Sequence, residues 1–236
     1  MKNIVIIGAS GHGSVILDCI EKEGKYNVFG FVDSFKEKGE IKNGYQILGS
    51  EYDLPSLMEM FDIYGGIVAI GDNWTRKRVV DRISVIAPSF KFISSIHPNA
   101  SIGKEVYIGR GTIIMPGAVV NANSIVKDFC IVNTNASLGH DGVMEDYSSL
   151  ACGVCCGGGL SLGAFSAVSA GAVIRENISV ESHTVIGAGA LILKDLPDCV
   201  VAFGSPAYIV KTRAIGDCYL SGGKRNIQVL PIVASA

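Results

Sequence analysis

The stretch 132-VNTNASLGHDGVMEDYSSLACGVC-155 decides the fold. Cut into sixes, its rows begin Val, Leu, Met and Leu, and the same phase extends in both directions. From Ile96 to Pro197 it gives seventeen rows, sixteen of which start with Ile, Val, Leu or Met; the exception is Cys156, itself a type often found buried. The fifth place is mostly small or β-branched, as at Ala118, Ser124, Ala136, Ser148 and Ala172. A helix needs a period near 3.6 and a half-buried sheet a period of 2, and six is neither. Six residues make one short strand plus a corner, and three such sides close a coil whose row heads point into a narrow prism. Stacked coils pair as parallel strands about 4.8 Å apart, and each needs its neighbours to bury its apolar side.

Upstream of this array the texture changes. Strand candidates 4-IVII-7, 28-VFGFV-32, 67-IVAI-70 and 90-FKFI-93 alternate with helical spacing, such as Val79, Val80, Ile83 and Ile86 behind the capping types Asn73 and Thr75. Strand, glycine turn, helix, strand is the pattern of a parallel α/β unit. Residues 1–95 therefore read as a small Rossmann-like domain, 96–213 as the hexad domain, and 214–236 as an extension in which Ile227 to Val233 could form a terminal strand.

The first turn of the α/β unit is 8-GASGHG-13. Glycines let a backbone approach a ligand closely, and a helix N-terminus offers free N–H groups to a phosphate. The order G-x-x-G-x-G is not the dinucleotide form, which favours a diphosphate without nicotinamide. His12, inside that turn, is a candidate donor to the diphosphate.

A formal charge of −2 with no basic run argues against nucleic acid or anionic lipid as the main partner. The apolar run within Met1 to Ile7 is too short for a signal peptide, and no segment reaches the ~18 to 20 apolar residues that span a bilayer. These features suit a cytoplasmic protein without membrane insertion. Seven cysteines form no framework spacing, which suits a reducing compartment. The pair Cys152 and Cys155 lacks a second ligand pair for a closed tetrahedral site, so no metal is expected. The run 157-GGG-159 suits a ligand passing close to the backbone.

His140 is the third residue of its row. It falls at a corner and does not compete for the prism interior. Proton transfer at neutral pH needs a base that titrates near neutrality, and an ordinary imidazole, at about 6.5, qualifies. The adjacent carboxylate of Asp141 can fix its tautomer. His97, before Pro98, reads as a junction residue, and His183 as solvated or close to a coenzyme.

Taken together, the glycine-rich α/β unit, 71-GDNWTR-76, 97-HPNA-100, the hexad array and 204-GSPA-207 resemble the bacterial sugar acetyltransferases of the hexapeptide-repeat class. These include UDP-4-amino-sugar N-acetyltransferases and sialic acid O-acetyltransferases. The resemblance covers roughly residues 1 to 213. It implies a left-handed parallel β-helix, a homotrimer, acetyl-coenzyme A as co-substrate along the groove between prisms, and a nucleotide-linked amino sugar held by the α/β domain. It places the catalytic group on His140, Asp141 and Asn133, with Asp141 standing where many relatives carry Glu. The sugar nucleotide falls on Gly11, His12, Gly13, Asp33, Gly71, Asp72 and Asn73, and acetyl-coenzyme A on Gly158, Ala170, Ala188, Gly204, Pro206 and Ala207. The implied reaction is N-acetylation of a UDP-linked 4-amino-4,6-dideoxy sugar, with O-acetylation of a sugar hydroxyl and a non-catalytic nucleotide-binding trimer as alternatives.

Overall fold

The computed structural model describes residues 1–220. The N-terminal unit runs β1 (Lys2–Ile7), α1 (Gly11–Glu23), β2 (Tyr26–Val32), a short hairpin of β3 (Ile41–Lys42) and β4 (Tyr45–Gln46), α2 (Leu54–Phe61), β5 (Ile63–Val68), α3 (Asn73–Ile86) and β6 (Lys91–Phe92). Its sheet is parallel in the order β2-β1-β5-β6. Order reverses between β1 and β5, so the crevice at their carboxyl ends is where an open α/β sheet takes a ligand. β5 starts earlier than its apolar run, because Gly65 and Gly66 pack directly under backbone of neighbouring strands. α2 is not signalled by the apolar runs read above.

Seventeen two-residue strands, β7 to β23, follow from Ser95–Ile96 to Leu191–Ile192. From β7 to β20 each pairs in parallel with the strand eighteen residues on, as Ile113 pairs with Ile131 and Ile131 with Ser149. With β24 (Val200–Gly204) and β25 (Ala207–Thr212) the seventeen strands form an eight-stranded, a six-stranded and a five-stranded face of one prism. Row heads such as Ile114, Val120, Val126, Val132 and Leu138 are fully buried inside it. Hydroxyls at fifth positions are buried too, and they are satisfied by bridging coils. Thr112 Oγ1 donates to Lys127 O (2.7 Å) and accepts from Cys130 N (3.0 Å), and Ser166 Oγ donates to Glu181 O (2.6 Å) and accepts from Thr184 N (2.9 Å). A larger polar side chain would not fit, and an unpaired one would cost about 1–3 kcal/mol. Fourth positions make the corners and repeatedly adopt positive φ, as at Asn123 (62°), Asn135 (56°), Asp141 (57°) and Asn177 (55°). Asn and Asp tolerate that region best after glycine. The eight-stranded face ends in a hairpin of β24 (Val200–Gly204) and β25 (Ala207–Thr212).

The two units are tightly docked. α1 packs on the outer side of the eight-stranded face, where Ile16, Leu17 and Ile20 share a core with Ile113, Met115 and Ile131. At the edge between the five- and eight-stranded faces, Phe129, Tyr147, Phe165 and His183 stack one per coil, with ring centroids 4.9, 5.3 and 4.7 Å apart. His183 is therefore a half-buried end of an aromatic ladder, in contact with Trp74, rather than a solvated residue. Arg76 of α3 is wholly buried against this ladder and donates to the carbonyls of Phe129, Tyr147, Ile70 and Gly71 and to Asn73 Oδ1. Residues 214–220 cross back to the same seam. There Tyr219 donates its hydroxyl to Gly71 O (3.1 Å) and its N–H to Asp72 Oδ2 (3.2 Å). The terminal strand expected within 227–233 lies outside the described residues.

Candidate active site

His140 lies on the turn between strands Ser137–Leu138 and Val143–Met144, at the edge between the six- and five-stranded faces. Its side chain is 71% exposed. The left-handed turn at Asp141 swings that carboxylate back onto the ring, and His140 Nδ1–H donates to Asp141 Oδ2 at 2.6 Å. The aspartate, one methylene shorter than the glutamate of many relatives, thus reaches the imidazole. Hydrogen bonds from His140 and then Asn123 hold the Asp141 carboxyl below the usual carboxylate range. With Nδ1 committed as donor, the lone pair is on Nε2. That edge of the ring lies over Gly158 of the next coil, where a Cβ would stand 2.6 Å from Cε1 and nearer still to Nε2. The glycine run thus leaves room for the imidazole itself.

The remaining prism residues do not gather there. Asn133 is at the preceding corner, between the eight- and six-stranded faces, and its Oδ1 accepts from Thr134 N (2.7 Å). Ala170 and Ala188 continue the column of Thr134 and Cys152 at that same edge, as Gly153 N, Gly171 N and Gly189 N donate in turn to Thr134, Cys152 and Ala170. Gly158 thus lies on one edge of the prism, and Ala170 and Ala188 on another. Residues eighteen apart share an edge, whereas Gly158 and Ala170 are twelve apart and sit on different ones. Gly204, Pro206 and Ala207 form the tip of the terminal hairpin, beside the exposed rings of Phe203 and Tyr208.

In the N-terminal unit, Gly13 packs against Gly8 O where no Cβ could fit, and Gly11 faces open space. Ser10 caps α1 without a side-chain bond, so the first-turn N–H groups stay free for an anion. Asp33 accepts from Ala9 N (2.7 Å) and Phe35 N (2.8 Å), and thus braces this turn. His12 has its Nε2 enclosed and unpartnered among the described residues, and burial and then the Arg76 charge push its imidazole down to about 4. It is a neutral ring at neutral pH. At the loop of Gly71, Asp72 and Asn73 the side chains are engaged within the protein. Asp72 caps α3 through Thr75 N (2.9 Å), and Asn73 Nδ2 donates to Phe165 O and Ser166 O, so these side chains hold the two units together. The docking role of Arg76 and of the aromatic ladder was signalled in the sequence only by aromatics recurring at 129, 147 and 165.

Among the described residues no group of three or more His, Cys, Asp or Glu is placed to hold a metal, and no helix is long and apolar enough to cross a membrane. Cys152 and Cys155 are exposed, whereas Cys156 is buried in the prism core.

Residues 3–83 match the PglD N-terminal domain family. Perosamine N-acetyltransferase from Caulobacter crescentus, solved as a His-to-Asn variant with CoA and GDP-perosamine, superposes with a TM-score of 0.84 at 30% identity, covering 89% of this chain and 98% of that one. This chain belongs to the sugar N-acetyltransferase family of hexapeptide-repeat proteins. The acetyltransferase domain of PglB from Neisseria gonorrhoeae, solved with acetyl coenzyme A, gives a TM-score of 0.81 at 31% identity over 89% of this chain and 99% of that one. UDP-N-acetylbacillosamine N-acetyltransferase from Bacillus subtilis is 32% identical over 116 residues, 49% of this chain. The chain spans 52% of that curated relative's length. The prism is accordingly a left-handed parallel β-helix.

Proposed function

We propose that this protein is an acetyl-CoA-dependent N-acetyltransferase acting on the amino group of a UDP-linked 4-amino-4,6-dideoxy sugar, with His140 as general base. The observation that carries this reading is the His140–Asp141 pair at 2.6 Å, which leaves Nε2 free beside the bare backbone of Gly158. The Caulobacter relative, solved with both CoA and GDP-perosamine, supports the pairing of coenzyme and nucleotide-linked amino sugar. The free amine attacks the thioester carbonyl carbon and Nε2 takes the amine proton. The C–S bond then breaks, the imidazolium returns that proton to the leaving sulfur, and the coenzyme departs as the thiol. Asp141 stabilises the imidazolium, and no covalent enzyme intermediate is needed.

We also propose a homotrimer, a reading that the same geometry supports. The N-terminal unit covers the eight-stranded face, and His140 lies on the edge that does not border it. Asn133, Ala170 and Ala188 line another edge. Packing about a three-fold axis would bring the His140 edge of one chain against the second edge of its neighbour, completing a groove neither has alone.

The test is incubation with acetyl-CoA and UDP-, GDP- or dTDP-linked 4-amino sugars, following thiol release and the gain of one acetyl group by mass spectrometry. GDP-linked sugar is included because relatives use it. N-acetylated UDP-sugar is expected. Absence of thiol release with every amino sugar would refute an acetyltransferase, and product with GDP-sugar alone would replace the base.

A further inference from the structure

We propose that Asn123, one coil before the His140 turn, is a positioning residue for acetyl transfer, holding the Asp141 carboxylate in the orientation that grips His140. The inference rests on His140 acting as the base. Asn123 Nδ2 donates to Asp141 Oδ1 at 3.2 Å, while His140 Nδ1 donates to Asp141 Oδ2 at 2.6 Å. The two carboxylate oxygens are thus taken from two sides by different donors, which fixes the rotation of the carboxyl plane. Asp141 needs that help. Its side chain is 58% exposed, and water competes for both oxygens.

The column explains why Asn123 alone supplies it. Asn123 and Asp141 occupy successive left-handed corners (φ 62° and 57°), stacked through Asp141 N donating to Ala122 O at 3.0 Å. On the other side the column continues with Gly159, which has no side chain, and Asn177 Oδ1 turns towards that glycine. An amide at 123 supplies a donor without charge. An acidic group there would repel Asp141, and a cation would compete with His140 for it.

The left-handed corner also provides clean variants. Asn123→Gly keeps a residue suited to positive φ and removes only the amide, and Asn123→Asp keeps the shape and turns the donor into an acceptor. Both should keep the wild-type melting temperature and Michaelis constants within about twofold. Turnover should fall about 3- to 10-fold in Asn123→Gly, the rate equivalent of an exposed hydrogen bond to a charged group, and further in Asn123→Asp. Because the effect passes through Asp141, Asn123→Gly should cost nothing more in an Asp141→Asn background. Turnover unchanged by Asn123→Gly, or a loss that multiplies with that of Asp141→Asn, would overturn the proposal while His140→Asn still reports independently on the base. Loss of melting temperature in both variants would also overturn it, showing a corner that is only structural.

Discussion

Replacing Gly158 with alanine tests the candidate base without touching it. Gly158 does not have positive φ, so alanine is tolerated by its backbone. The added methyl would stand 2.6 Å from His140 Cε1 and nearer to Nε2, against about 3.5–4.0 Å for an ordinary contact. The ring has to retreat by about 1 Å or more, and it is free to do so because it is largely exposed. The fold should therefore be spared, and the strain should appear as a displaced Nε2. A misplacement of about 1 Å in a reacting group costs on the order of 10²-fold in rate. We expect turnover in Gly158→Ala to fall by about that factor while the melting temperature stays within a few degrees. The assay is thiol release under saturating sugar nucleotide and acetyl-CoA, beside a thermal melt. If Gly158→Ala keeps more than about a third of wild-type turnover where ~10² was expected, Nε2 is not the proton acceptor.

His140→Asn should lower turnover by about 10²- to 10⁴-fold with Michaelis constants little changed, which steady-state kinetics will show. Arg76→Met strands buried carbonyls of both units and should destabilise the protein by about 3–5 kcal/mol, read from denaturant midpoints; a cost under about 1 kcal/mol would contradict its docking role. His12 should make the fold acid-sensitive. Its folded imidazole is pushed down to about 4, whereas the unfolded one titrates near ~6.5, so on acidification the unfolded state binds the proton first. Stability should fall between about pH 6.5 and 4 by up to about 3 kcal/mol, and His12→Gln should flatten that fall in midpoints measured across the range. Mixing His140→Asn chains with chains disabled at the Asn133 edge should restore part of the activity if the groove is shared, and complementation should be absent if it is not.

The hexad array was legible because a coil has no freedom. Each row head must be apolar to fill the prism and each fifth residue small, so Ile114, Val132 and Ala136 announce their places. The corners were legible in part. Asn, Asp and Gly recur at fourth positions, which is the signature of a left-handed turn, and Asp141 belongs to that series. The separation of Asn133 from His140 follows from eighteen-residue arithmetic once the coil is known, but a linear motif hides it. The docking contacts of the loop at 71–73 were hidden for a different reason. A Gly-Asp-Asn turn before a helix presents the same donors and acceptors to a ligand or to a second domain. The carbonyls of Phe165 and Ser166, more than ninety residues away, show that Asn73 meets the second domain.

The docking seam bears on catalysis through height along the prism. It is anchored by the Phe129 and Tyr147 carbonyls, which Arg76 bonds, and by Phe165, which Asn73 bonds. His140 lies between Phe129 and Tyr147 in the chain, so it occupies the coil these anchors bracket. A three-fold rotation about an axis parallel to the prisms leaves that height unchanged. In the proposed trimer, the docking seam of one chain is thus level with His140 of the neighbour. The short carbonyl bonds of a buried arginine and the close stacking of an aromatic ladder keep it level, because neither can slide by a fraction of a coil without losing its partners.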